Sequence, residues 1–181
     1  KFIFNDIDSL KRVLKDNNYN FAAIVVEPDG FIPPAPGYLQ EIRSLCDKHG
    51  ILLVFDEIVC GFRTNIGGAS KEYGVNADLG CFGKALANGY PLSAVVGRKD
   101  IMEQMKNVFV SGTFSGETLS IAAALATIKK LEDSQAILKT KNYGDILIRE
   151  LNNICIKEGV DKYIKISNLN LRSDFLQQYN T

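Results

Sequence analysis

The sequence predicts an α/β fold, a mostly parallel sheet with flanking helices. Two short runs, Phe21–Val26 and Ile51–Phe55, are apolar on both alternations, as strands covered on both faces are. Between them Tyr38, Leu39, Ile42, Leu45 and Cys46 recur at helical spacing, which makes residues 21 to 55 a βαβ unit with parallel strands. Further strand and helix patterns then follow one another in repeating order, the mark of the α/β class.

Taken in order, Asp8 or Ser9 is placed to cap a first short helix carrying Leu10, Val13 and Leu14, with Asn17-Asn18 ending it. Glu27-Pro28-Asp29-Gly30 breaks the first strand. Pro33, Pro34 and Pro36 impose an extended approach to the second helix, and Lys48-His49-Gly50 stops it, basic side chains followed by glycine. The second strand ends in Asp56-Glu57. Shorter strands are predicted at Asp78 to Phe82 and Ser93 to Gly97, and helices at Ile101 to Lys106 and Glu117 to Leu131. The last of these is rich in alanine and is expected to pack closely against its neighbours. From Ser134 to Glu158 the spacing of Ile137, Leu138, Ile146, Leu147, Leu151 and Ile154 predicts one long or broken helix, able to bridge to another domain. Leu169 to Thr181 is polar and weakly patterned, and no structure is assigned to it.

With 181 residues, 46% of them hydrophobic, the chain can bury a core and fits one domain or a piece of a larger protein. Lysine plus arginine equals aspartate plus glutamate at 21 each, so no net field favours nucleic acid, an anionic membrane or a polyanion. Cys46, Cys60, Cys81 and Cys155 lie far apart with no C-x-x-C pair, so no metal site is predicted and buried free thiols are expected. No basic-then-apolar leader follows Lys1, and no apolar stretch approaches the ~20 residues of a membrane span, so a cytoplasmic protein is expected. The sequence starts on Lys1 rather than Met and enters structure almost at once, which suggests an internal piece of a longer chain.

Ligands of an open parallel sheet bind outside the carboxyl ends of its strands, where loops and helix N-termini converge. Asp56 and Glu57 lie at such an end. A carboxylate in a dry site needs a cation facing it, and a protonated pyridine nitrogen or a magnesium ion would serve; otherwise Asp56 merely caps the Gly61 turn. Lys84 lies between Gly83 and Ala85, just before Asn88-Gly89-Tyr90-Pro91, where small residues let the backbone approach a ligand. A loop lysine alone is usually solvated, but with Asp56 on the same rim it can act as nucleophile and proton carrier. Ser111-Gly112-Thr113-Phe114-Ser115-Gly116 precedes a helix and suits a phosphate, although such a cluster also serves as a plain cap and turn. Gly80-Cys81-Phe82-Gly83-Lys84-Ala85 lacks the spacing and hydroxyl residue of a P-loop. His49, the single histidine, is explained by a helix C-terminus, which argues against a histidine-based triad.

The segments Leu53-Val54-Phe55-Asp56-Glu57-Ile58-Val59-Cys60-Gly61-Phe62-Arg63, Asp78-Leu79, Gly83-Lys84-Ala85-Leu86-Ala87-Asn88-Gly89-Tyr90-Pro91-Leu92-Ser93-Ala94 and Gly112-Thr113-Phe114-Ser115-Gly116 resemble the class III aminotransferases in order and spacing. The resemblance is strongest to the glutamate-1-semialdehyde 2,1-aminomutase branch and covers most of residues 20 to 135. It implies the large domain of pyridoxal phosphate fold type I, incomplete at both ends. Residues 1–135 would form part of that cofactor-binding domain, and 136–181 the connecting helix and the start of the C-terminal small domain. By the same resemblance Lys84 forms a Schiff base with pyridoxal 5'-phosphate, Asp56 pairs with the pyridine nitrogen and Ile58 packs on the ring face. Thr113 reaches the phosphate of a neighbouring subunit, so a homodimer is implied.

The implied reaction moves an amino group between a small-molecule amino donor and a carbonyl acceptor, by transamination or an intramolecular shift. Val59 stands where many members carry Gln, whereas the aminomutase branch is also apolar there; Glu117 stands where that branch usually shows Asn. Two alternatives stay open on the residues alone. Leu52-Leu53-Val54-Phe55-Asp56-Glu57 also resembles a Walker B strand of an ATPase, in which the aspartate holds magnesium. The chain could also be a noncatalytic remnant that only dimerises.

Overall fold

The computed structural model describes residues 1–16, 20–30, 32–164 and 166. Helix α1 (Ile7–Leu14) precedes strand β1 (Ala23–Val26), helix α2 (Tyr38–His49) and strand β2 (Leu52–Glu57). Helix α3 (Gly68–Tyr73), strand β3 (Leu79–Phe82), a 3-10 turn at Lys84–Leu86 and strand β4 (Ala94–Gly97) follow. Helix α4 (Lys99–Met102) runs into a second 3-10 turn at Glu103–Asn107, and helices α5 (Thr118–Ser134) and α6 (Ala136–Lys157) complete the chain.

The four strands lie in sequence order, β1 with β2 and β2 with β3 parallel, β3 with β4 antiparallel. Helices α1, α2 and α3 cover one face, where Ile24, Val26, Leu53 and Phe55 meet Leu10, Leu39, Ile42, Cys46 and Ala69 in a buried core. Gly50, with φ 65°, ends α2 in the left-handed region that glycine favours and turns the chain directly into β2.

Several expectations change on contact with the fold. The apolar run of β1 is not covered on both faces: Ile24 and Val26 are buried, while Val25 is 60% exposed. The three helices share one side of the sheet, and on the other Val25 and Val95 stay largely exposed. The cap of α1 is Asp6 rather than Asp8 or Ser9. Its extended backbone aims the carboxylate at the Ser9 N–H (2.8 Å), and Ser9 Oγ instead accepts from the Ile3 N–H (2.9 Å).

Asn17-Asn18 and the polar run 169–181 lie outside the described residues. Helix α4 starts earlier than Ile101 because Arg98 leaves β4 with its N–H bound to the Asp78 carbonyl, and its own carbonyl at once accepts from Ile101 and Met102. The alanine-rich α5 does not pack closely all round. It buries only Ser120 and Ala124, chiefly against the turn that carries Leu86 and Ala87. The helix expected from Ser134 to Glu158 forms unbroken as α6, set off from α5 by Gln135, whose φ of 53° is left-handed.

Asp78, 6% exposed, ties the far end of the sheet together. Its Oδ2 accepts from the Leu53 N–H of β2 (2.7 Å) and from Arg43 of α2 (2.8 Å), and its Oδ1 accepts from Arg98 (2.9 Å). Burial alone would raise this carboxyl's pKa; the Leu53 N–H and then the two guanidinium groups outweigh it and hold the group below the usual carboxylate range.

Candidate active site

Strand alternation sends Asp56 and Glu57 to opposite sides of β2. Glu57 faces the helices and is 2% exposed; its Oε2 accepts from the Ala69 N–H (2.7 Å) at the start of α3. Burial pushes its pKa up, and the nearby Asp29 adds to that against the Ala69 N–H, which lowers it. Asp56 faces the open side, half-buried, and its Oδ1 accepts from the Ile58 N–H (3.1 Å). Its register partner on β3 is Cys81, whose partner on β4 is Val95.

The lysine loop leaves the carboxyl end of the adjacent parallel strand. Gly83 lies against Ile58: a Cβ built on the glycine would sit 3.5 Å from Ile58 Cγ2. One residue earlier, the Phe82 ring lies 5.6 Å from that of Phe62 and fills the space left by Gly61, where a Cβ would come within 2.8 Å of it. The loops after β2 and β3 are thus packed on each other, and Asp56, Ile58 and Lys84 emerge at one corner of the sheet. Lys84 is exposed, with φ 41°. Phe62 (62°) and Asn88 (47°) share that left-handed backbone, which costs side-chain-bearing residues about 1–2 kcal/mol each. Of the five such residues among those described, three lie in these two loops, so local strain gathers where Asp56 and Lys84 emerge.

Thr113 sits in the exposed turn before α5 and is not part of that packed corner. Glu117 is the N-cap of α5, its oxygens accepting from the Leu119 and Ser120 N–H groups (2.7 Å each) and from Ser120 Oγ (2.6 Å). The Ser120 hydroxyl first, then the two N–H groups, lower its pKa. Cys46, Cys60 and Cys155 are buried free thiols, and Cys81 is half-buried. Burial pushes Cys46 up to about 11 and Cys60, with Glu57 beside it, up to about 12, so both stay protonated and unreactive. A cavity of about 470 Å³ between the α5–α6 break and the loops at Phe62, Arg63, Ala85 and Asn88 borders the corner but contains neither Asp56 nor Lys84.

Some positions at this corner escape a reading of motifs. Glu57 was legible only as a second strand-end acid, although alternation next to Asp56 already requires it to face the helices. Cys81 and Gly83 gain their places beside Asp56 and Ile58 from strand register, which no local pattern states.

These features define an α/β protein that places Asp56 and Lys84 at the carboxyl ends of adjacent parallel strands. Residues 3–167 match the family model described as aminotransferase class-III. The chain is 38% identical to the glutamate-1-semialdehyde 2,1-aminomutase of Methanococcus maripaludis, over 98% of this chain and 42% of that protein. It is 44% identical to the enzyme of the same name from Prosthecochloris aestuarii, over 87% of this chain and 38% of that one. Among solved structures, the FumI protein of Sphingopyxis in its PLP internal aldimine form superposes with a TM-score of 0.83 at 27% identity, over 87% of this chain and 40% of that one. An ornithine aminotransferase from Plasmodium yoelii gives 0.82 at 27% identity, over 97% and 47%.

The chain belongs to the class III aminotransferase family, and its fold is the aspartate aminotransferase-like type I fold. It spans about two-fifths of the length of the curated relatives it matches.

Proposed function

We propose that this chain is the cofactor-binding core of a pyridoxal 5'-phosphate enzyme that moves an amino group between an amine or amino acid and a carbonyl compound. The observation that carries the reading is the packing of the Asp56–Ile58 loop on the Gly83–Lys84 loop at the ends of neighbouring parallel strands. The donor set fits the cofactor: a carboxylate for a cationic ring nitrogen, an aliphatic side chain for a ring face, and an exposed primary amine beside a bare glycine.

When bound, pyridoxal phosphate supplies an electron sink that lets a substrate α-carbon release its proton. Asp56 would hold the ring nitrogen's positive charge, and Ile58 would exclude water from one ring face. Lys84 Nζ would hold the cofactor through its aldehyde and serve as the base that carries the substrate α-proton. Thr113 would serve the phosphate of a partner subunit. That role fits a homodimer, in which exposed apolar side chains such as Phe109 (95%) and Leu119 (68%) beside its turn become covered.

Residues 1–135 are assigned to the large domain and 136–181 to the connecting helix and the start of the small domain; the break at Gln135 supports that division. A cytoplasmic location is proposed with it. Among the described residues no helix is long and apolar enough to cross a membrane. The family match leaves the ATPase alternative without support.

The test is made in the full-length protein that carries this segment. Borohydride reduction should trap the cofactor on the peptide containing Lys84, and K84A should abolish the trapped mass. A K84A protein that still yields a reduced covalent adduct refutes the assignment. A wild-type protein that takes up no cofactor would instead be the dimerising remnant.

A further inference from the structure

We propose that Glu57 is a positioning residue that closes both ends of the loop from Ile58 to Gly67 and so sets the direction of Asp56 and Ile58. Its backbone carbonyl accepts from the Gly61 N–H (2.9 Å), and its side-chain Oε2 accepts from the Ala69 N–H (2.7 Å). Each contact needs a glycine. A Cβ on Gly61 would fall 2.6 Å from the Glu57 carbonyl, and one on Gly68, whose φ is +65°, would fall 2.2 Å from Oε2.

The carboxylate is buried at 2% exposure with the buried Asp29 (3%) nearby, an arrangement that disfavours its charge. An apolar side chain would fill the same space without that cost. What an apolar residue cannot do is anchor the Ala69 N–H. The carboxylate therefore fixes the far end of the loop whose near end presents Ile58 to Gly83.

This inference rests on the reading of Asp56 and Ile58 as cofactor contacts, and its test separates the two. E57D keeps the charge but is one methylene too short to reach Ala69; E57Q keeps an acceptor of the right length and drops the charge. In the full-length protein, pyridoxal phosphate titration should give near wild-type affinity for E57Q and about tenfold weaker binding for E57D, the loss of one charge-assisted hydrogen bond. At saturating cofactor, the visible circular dichroism band should keep its wild-type shape in E57Q and change in E57D, a shift that loss of stability alone would not produce.

Equal affinities and bands for the two variants overturn the proposal. If E57D does not fold, E57Q decides: wild-type affinity and ellipticity support the clamp, and loss of either overturns it. If the wild type binds no cofactor, the functional reading fails, and amide exchange still tests the clamp. The Ala69 amide, which the side chain anchors, should exchange faster in E57D than in E57Q, and equal rates refute it.

Discussion

Removing the Asp78 carboxylate is the sharpest test of how this sheet is held. The side chain accepts three hydrogen bonds, from the Leu53 N–H of β2, from Arg43 of α2 and from Arg98 in the link between β4 and α4. Arg98 is half exposed, so solvent screens its contribution and the two sheltered donors carry most of the effect. The Leu53 and Arg43 bonds are more sheltered and charge-assisted, about 1.5–3 kcal/mol each. D78A also leaves the Leu53 N–H without its acceptor, and a net loss of about 3–5 kcal/mol follows, in line with breaking a buried pair from one side.

Urea unfolding of the full-length protein, with the m-value checked for constancy, measures the loss directly. The pH dependence gives a second check. The folded-state pKa lies below the unfolded value, so the stabilisation is complete above the unfolded pKa of about 3.9 and is lost as pH falls through the folded value. The gap between wild type and D78N should therefore be constant at neutral pH and narrow below about pH 4. A D78A loss under about 1 kcal/mol, or a gap that widens in acid, refutes the account.

Three further predictions follow from the glycines and thiols. G83A should fold normally, its new Cβ at ordinary contact distance from Ile58 (3.5 Å) and the Leu92 carbonyl (4.0 Å), yet bind pyridoxal phosphate about tenfold more weakly; a cofactor titration beside a urea melt separates the two. G97A should lose more than about 3 kcal/mol or fail to fold, because its Cβ would lie 2.2 Å from the Asp78 carbonyl; a normal urea midpoint contradicts this. In native protein at pH 8 an aromatic disulfide reagent should label Cys81 well before Cys46 and Cys60, whose thiols are buried and pushed up to about 11 and about 12. Peptide mapping checks the order.

The βαβ unit, all four strands and the corner formed by Asp56 and Lys84 were legible because each is written in local sequence. Apolar runs mark β1 and β2, a glycine ends α2, and small residues flank the lysine. The errors share a cause. Val25 looks buried from its neighbours in sequence, but what covers a face is decided by where distant helices settle, and α1, α2 and α3 all chose one side. The alanines of α5 likewise describe a helix able to pack closely, and the described residues supply a neighbour for one stripe only. Asp6 is hard to tell from Asp8 and Ser9 in sequence because all three have cap chemistry, and only the extended backbone at Asp6 distinguishes it.

On the proposed function, the pair Asp56-Glu57 lets one strand end serve reaction and scaffold together. Alternation gives one acid to the open face and its neighbour to the covered one, so two adjacent carboxylates meet opposite surroundings within a single residue step. Asp56 keeps solvent contact and accepts a turn hydrogen bond from Ile58, leaving the carboxylate able to meet a cation arriving from outside. Glu57 cannot meet such a cation, because Gly68 and the Ala69 N–H close over it. Exchanging the two residue types at these positions would shorten the inward side chain by one methylene and lengthen the outward one. The inward acid would then lose Ala69 while the outward one overreached the corner, so the order Asp-Glu is set by chain length as well as charge.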